Sequence, residues 1–376
     1  KQCRIGDIYA ERSQRGASDM ELLSVTMNDG VKPRSEIEGK DNSSEDKSNY
    51  KIVRKGDMVY NSMRMWQGAN GISPCDGIVS PAYTVLMPKQ EINNGYFAAL
   101  FKSTNLINEF RKNSQGMTSD TWNLKYPQIE TIKVQIPSVS EQDKVSALFS
   151  VLDARIVAQA QLVESLKKYK RGVVRTLLSP KHCKLKNVEW TTAKIGNIGT
   201  FIKGAPLSKA DISSDGTPFI LYGELYTTYN EVISKVVRKT QASVDKQYYS
   251  QIGDVIIPAS GETPEEISTA SCVMLPDIIL AGDLNIYRCT QVDGRIMSYI
   301  LNHVVNDRIA RVAQGKSIVH VQATEISKIE ITYPDLISQK KLIETFDAIT
   351  ARIDQSMREL ELLQVHRKAL LQQLFI

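Results

Sequence analysis

The chain has 376 residues, with 47 Lys and Arg against 42 Asp and Glu for a net charge of +5. That length exceeds one ordinary core and suits two or more domains, while the mild basic excess permits a nucleic-acid partner without requiring one. Cys3, Cys75, Cys183, Cys272 and Cys289 are scattered and never form a C-x-x-C pair, which argues against a disulfide framework and a structural zinc site. With no secretory signal and no apolar run approaching ~18 residues, the expectation is a cytoplasmic chain with reduced thiols and no membrane partner.

Residues 1–138 read as a mixed domain of short strands and turns. The runs at 21–26, 50–53, 57–60 and 78–87 carry β-type residues and end at Gly, Pro or Asn-Asp-Gly. Residues 32–49 are charged, serine-rich and nearly free of apolar side chains, as in an exposed mobile loop. From 96 to 111 the pattern is one amphipathic helix, with Phe97, Leu100, Phe101, Ile107 and Phe110 on one face. A polar stretch with an aromatic tip, 113–123, leads into a strand closed by Pro137.

Residues 141–179 then form a long helix whose apolar positions step by alternate fours and threes: Val145, Phe149, Leu152, Ile156, Val163, Leu166, Val173 and Leu177. Gln159 and Lys170 fill the two remaining slots of this heptad seam. A second unit, from about 185 to 334, follows the same order, with an amphipathic helix from 295 to about 312. Its closing helix has the seam Leu342, Phe346, Ile349, Ile353, Leu360, Leu363, Leu370 and Leu374, with Ser356 and Arg367 in the polar slots.

Every second seam position is the first plus 197, as in 145 against 342. The same offset links Lys55-Gly56-Asp57-Met58-Val59 to Ile252-Gly253-Asp254-Val255-Ile256, and Pro137 and Gln142 to Pro334 and Gln339. A whole unit is therefore duplicated, globular part then helix. Trp190 stands six residues before Gly196, and its counterpart before Gly6 would precede Lys1, so a short leading segment is expected ahead of this sequence. A helix of ~38 residues is about 57 Å long, and its seam requires a partner. Short connections close only if the two copies pair antiparallel, in a register where paired numbers sum to ~519, Ile156 by Leu363 and Leu166 by Ile353. The fold class is then α+β, with two similar mixed α/β domains separated by two long antiparallel coiled-coil helices in a pseudo-twofold internal repeat. Lys170 and Arg367 are expected to snorkel to water and fix the register.

Catalytic chemistry is missing from the sequence. Gly315-Lys316-Ser317 lacks the earlier glycine of a phosphate loop, and Ser80-Pro81-Ala82-Tyr83 reads as a turn. His182, His303, His320 and His366 have no ligand spacing. The loops instead carry side chains suited to bases and phosphates. In unit one these are Asn61, Arg64, Trp66, Gln67 and Asn70, with Arg111, Lys112, Gln115, Thr118, Ser119 and Trp122. In unit two they are Lys203, Ser260, Glu262, Thr263, Arg311, Gln314, Lys316, Ser317 and His320.

Two units that each close with a proline-ended strand, a Glu/Ser-Gln-x-Lys helix start and heptads ending in Lys/Arg with Leu-Leu or Leu-Phe resemble the specificity subunit of type I restriction-modification enzymes. The resemblance implies target recognition domains at 1–138 and 180–334 and conserved spacer helices at 139–179 and 335–376. It implies a non-enzymatic subunit that reads one half of a bipartite, asymmetric double-stranded DNA site with each domain, while the coiled coil sets the spacing. Two methyltransferase subunits carrying S-adenosylmethionine and restriction subunits using ATP and magnesium would be the partners, leaving no cofactor and no metal in this chain. The alternative is a coiled-coil scaffold without sequence-specific DNA binding.

Overall fold

The structure, a computed structural model, describes residues 2–16, 19–27, 30–39, 41, 43–315 and 318–375. It divides into two compact units, Lys1–Gln161 with Met357–Ile376, and Leu162–Ser356. Each unit therefore contains part of both long helices.

In unit one the central sheet runs Tyr9–Glu11, Tyr83–Pro88, Met58–Asn61, Asn70–Ile72, all antiparallel. Unit two repeats this order with Gly199–Lys203, Leu284–Cys289, Asp254–Pro258 and Ser271–Val273, and adds Val232–Ile233 in parallel at the edge. The expected strand at 78–87 is two, Gly77–Val79 and Tyr83–Pro88. Ser80-Pro81 turns the chain between them, and the Tyr83 amide donates to the Ser80 carbonyl at 3.0 Å. Within 32–49, residues 34–36 form a short helical turn and the Arg34 guanidinium donates to the Ile37 carbonyl at 2.6 Å; Lys40 and Asn42 lie outside the described residues.

Each expected amphipathic helix is in fact a pair. Asn94–Leu100 is followed by Thr104–Asn113, because buried Ser103 caps the second helix by accepting from the Leu106 amide. In unit two Gly294–His303 and Asn306–Val312 are separated by Val304 and Val305, where β-branched side chains disfavour helix continuation. Of the expected face Phe97, Leu100, Phe101 and Phe110 are buried, with Tyr9 edge-on to Phe97 and Phe101, whereas Ile107 is only half-buried and Leu106 is buried beside it.

The long helices run Val139–Leu177 and Leu336–Leu374. In unit one the core gathers Val145 and Phe149 from the start of the first with Leu370, Leu371 and Phe375 at the end of the second. In unit two it gathers Val173, Val174, Leu177 and Leu178 with Leu342, Ile343 and Phe346. Start meets end in both units, so the packing is antiparallel. Asp153 pairs with Arg367, and 153 and 367 sum to 520, one away from the expected ~519. Leu374 departs from the expected seam: it is exposed while Leu371 and Phe375 are buried. A 3.6-residue turn drifts ~20° per heptad against a 3.5 repeat, so the buried stripe has moved round the helix by its end. By length and overall composition the first helix holds one window apolar enough to cross a membrane. The helix also carries charged Asp153 and Arg155, and it buries Phe149 and Val163 in protein.

Of the two charged slots, Lys170 does not snorkel and Arg367 stays partly exposed. Lys170 is buried, donating to Glu231 at 2.9 Å with its ammonium 5.2 Å over the Tyr299 ring, and Glu231 also pairs with His303 at 2.8 Å. Burial raises the Glu231 pKa, but the His303 hydrogen bond and the Lys170 charge outweigh it and bring the group down to about 2. Arg367 pairs with Asp153 and lies over the Phe149 ring at 5.8 Å. Lys170 is thus taken out of water by its pair, whereas Arg367, 28% exposed beside an Asp153 that is 46% exposed, keeps contact with solvent while tying the two helices together.

Four small joints explain the duplicated motifs. Buried Gln142 donates to the Pro137 carbonyl at 3.1 Å and accepts from the Asn93 amide at 3.0 Å. Gln339 does the same with Pro334 at 2.7 Å and Asp293 at 2.8 Å, so each glutamine ties the end of the closing strand to the cap of the amphipathic helix. Asp57 accepts from the Arg54 amide and from Arg12, and Asp254 from the Gln251 amide and from Arg288, locking turns whose Gly56 and Gly253 sit at φ +91 and +95. Gly6 and Gly196 admit no Cβ, which would lie 2.9 Å from Glu130 and 2.8 Å from Ser327. Ser138 caps the first long helix with Glu141 reaching back to it, whereas Asp335 caps the second with Ser338, the same two positions with the partners exchanged.

Candidate nucleic-acid interface

In each unit two loops meet beyond the central sheet. One follows the strand after the Gly-Asp turn, and the other follows the amphipathic helices. They are joined at equivalent places: the Leu124 amide donates to the Ser62 carbonyl at 2.8 Å, and 197 positions on the Val321 amide donates to Ala259 at 2.9 Å. The second loop is a tight hairpin in both copies. Backbone amides and carbonyls of Gln115 and Asn123 exchange bonds at 3.0 and 2.8 Å, and those of Gln314 and His320 at 2.9 and 2.8 Å. Gly116 and Gly315 follow at φ +150 and +139, and a Cβ at either would strike the carbonyl of Thr121 or of Ile318, so only glycine fits.

In unit one the structure brings most of the candidates together. Arg64, Gln67, Arg111, Lys112, Gln115, Thr118 and Ser119 are exposed, and Asn61, Trp66 and Trp122 are partly so. Trp66 and Trp122, from different loops, meet edge-on at 5.2 Å, and the Arg111 guanidinium lies 5.5 Å over the Trp122 ring. The Trp66 indole donates to the Met63 carbonyl at 3.1 Å, Asn61 accepts from the Met63 amide at 3.0 Å, and Lys112 pairs with Glu109 at 2.7 Å. Asn70 leaves the set. It is fully buried, and its amide donates to the Gly68 and Phe101 carbonyls, which fixes the loop from inside.

In unit two Lys203, Glu262, Thr263, Arg311, Gln314 and His320 are exposed. Ser260 is buried and pairs through its backbone with His320, so it shapes the loop rather than facing outward. Thr263 accepts from the Glu266 amide as a helix cap, which occupies its hydroxyl. Lys316 and Ser317 lie outside the described residues. Sequence reasoning missed Asp283, whose carboxylate lies 3.9 Å from both Lys203, at the end of a strand, and His320, at the base of the second hairpin. Asp283 had no spacing signal, since it meets Lys203 and His320 only through contacts distant in the chain. Among the described residues no cluster of His, Cys, Asp and Glu can hold a metal ion.

Paired loops joined at the same place in each copy, on a duplicated frame closed by long helices, define a two-unit repeat architecture. Residues 5–168 and 187–364 both match the profile of the type I restriction modification DNA specificity domain, and the chain belongs to that family of DNA-recognition subunits. It is 21% identical over 347 residues to the type I restriction enzyme MjaVIII specificity subunit of Methanocaldococcus jannaschii, covering 85% of this chain and 78% of that protein. Its fold is similar to a structure described under complex assembly and conformational transition of the type I R-M system, at TM-score 0.66 and 14% identity over 99% of this chain and 96% of the other. It is also similar to the type I restriction-modification S subunit from M. genitalium, at TM-score 0.57 and 14% identity over 100% and 96%.

Proposed function

We propose that each unit reads one half of a bipartite, asymmetric DNA site through its own pair of loops, and that the length of paired helix between them sets the gap. The observation that carries this is the repeated joint between the two loops, Leu124 to Ser62 and Val321 to Ala259, around which most side chains differ apart from the Gln-Gly pair that opens each hairpin. A shared frame with divergent polar loops suits one task performed on two different half-sites. A scaffold without base readout would leave that divergence unexplained. In this reading two methyltransferase subunits, bearing S-adenosylmethionine, dock on the outer faces of the helices, where Leu148, Val151, Leu362 and Val365 are exposed. Restriction subunits bring ATP and magnesium, and this chain performs no chemistry itself.

Mapping methylated adenines in a host that carries the chain with its methylating partner tests the proposal. The expected result is an interrupted site with two unlike halves; a palindromic, uninterrupted mark would overturn it. Arg64→Ala is expected to relax or weaken readout of one half only, by ~1–3 kcal/mol.

A further inference from the structure

The basic surplus of the chain is concentrated in one stretch. Residues 165–188 hold eight Lys and Arg and no acid, and setting those eight aside leaves 39 cations against 42 Asp and Glu. Lys170 is buried against Glu231, but the other seven face solvent. Lys167, Lys168, Arg171 and Arg175 form a stripe about 12 Å long on the last turns of the first long helix. Beyond the helix the chain turns at once, with the Cys183 amide donating to the Ser179 carbonyl at 2.9 Å, and Lys181, Lys184 and Lys186 carry the charge past its end.

Neither packing nor helix stability accounts for this charge. Lys167 has Glu164 at 2.9 Å and Arg175 donates to the His303 carbonyl at 3.0 Å. Among the described residues no acid lies in ion-pair range of Lys168, Arg171, Lys181, Lys184 or Lys186. Like charges four residues apart, as at 167, 171 and 175, oppose helix formation, and the helix dipole favours only Arg175, which stands in the last turn. The duplicated helix does without the stripe: Gln364, Val365 and Gln372 stand where Lys167, Lys168 and Arg175 do, and only Lys368 matches Arg171. Both copies keep the seam, and one keeps the charge.

We propose that this patch of unit two grips the phosphate backbone of duplex DNA irrespective of sequence, apart from the loops that read bases. A protein partner fits it less well, because lysine is depleted in protein interfaces and Tyr169 and Leu185 are the patch's exposed large apolar side chains. Phosphates ask only for unpaired cations, and each phosphate neutralised releases counterions. The proposal goes beyond base reading and does not depend on which loops touch bases. Its consequence is a hold on noncognate DNA while the half-sites are sought.

The test uses the full chain in its assembled modification complex and two duplexes of equal length, one bearing the mapped site and one without it, each titrated across salt. Lys168→Gln, Arg171→Gln, Lys181→Gln and Lys184→Gln together are expected to weaken noncognate binding about tenfold at low salt. They are expected to lower the slope of log affinity against log salt by about two to four on both duplexes, and to leave the methylated sequence unchanged. Lys168→Arg, Arg171→Lys, Lys181→Arg and Lys184→Arg together are expected to keep the slope. With no substitution at all, noncognate duplex is expected to shield Lys168, Lys181 and Lys184 from acetylation. The proposal fails if the glutamine variant keeps the original slope, or if duplex leaves those lysines open to acetylation. It fails equally if that variant binds the restriction subunit more weakly without DNA at an unchanged slope, which would make the patch a protein contact. Arg64→Ala leaving half-site specificity intact would instead remove the loop reading and leave this prediction standing.

Discussion

Glu231 holds more together than any other single carboxylate described above. It neutralises Lys170 of the first long helix and His303 of an amphipathic helix, while its backbone carbonyl accepts from the Ser298 hydroxyl at 2.7 Å and from the Cys272 amide at 2.8 Å. Removing its charge strands a buried ammonium. Glu231→Gln is expected to destabilise unit two by ~3–5 kcal/mol in urea unfolding, and adding Lys170→Met to recover part of that loss. Because the folded carboxyl lies at about 2 against an ordinary 4.5, the unfolded chain binds the proton more readily in that window. The contribution is therefore complete above about pH 4.5 and drains away as pH falls toward 2, and Glu231→Gln should flatten that part of the stability profile. The sequence showed that positions 170 and 367 break a seam. It could not show their partners, since Glu231 lies 61 residues from Lys170 in a loop without periodicity. Asn70 illustrates the opposite error, because a polar loop residue looks the same in sequence whether it faces outward or holds a buried carbonyl.

Among the elements, the long helices were the most legible, because a heptad seam repeats one physical requirement many times. Legibility faded at their ends, where the drift of 3.6 against 3.5 shifts the buried set to Leu371 and Phe375. The two stripes make opposite expectations testable: Phe346→Ala, fully buried beneath Tyr299, is expected to cost ~3–5 kcal/mol, and exposed Leu374→Ala well under 1, by thermal or urea unfolding. The breaks inside the amphipathic helices were hidden because Ser103 and the Val304-Val305 pair leave the apolar face unchanged on either side. The Gln142 and Gln339 joints were visible only as a coincidence of spacing until their partners appeared. Either glutamine changed to alanine is expected to leave a buried strand-end carbonyl and a cap amide unpaired, at ~1–3 kcal/mol each.

For the molecule entire, duplication was readable from the offset of 197 shared by the Gly-Asp turn, the closing proline and the helix seam, and family membership agrees with it. The bases read were not, since the proposed reading lies in the loops, where the copies share a frame and little else. If helix length sets the gap, inserting seven residues at matched points of both long helices preserves the seam and adds about 10 Å, close to three base pairs. Methylation mapping of that variant is expected to return the same two half-sites with a longer interruption, and an unchanged interruption would separate helix length from spacing.

The Gly-Asp turns bear on how such a molecule can be recombined. Asp57 takes its guanidinium from Arg12, beyond the first strand of its sheet, and Asp254 takes its own from Arg288, in the neighbouring strand. A crossover inside either sheet would leave a buried acid with no cation, or a site with two. At the borders, by contrast, both cassettes present the same glutamine, the same proline carbonyl and the same cap amide. Grafting is thus expected to be tolerated at the edges and penalised within.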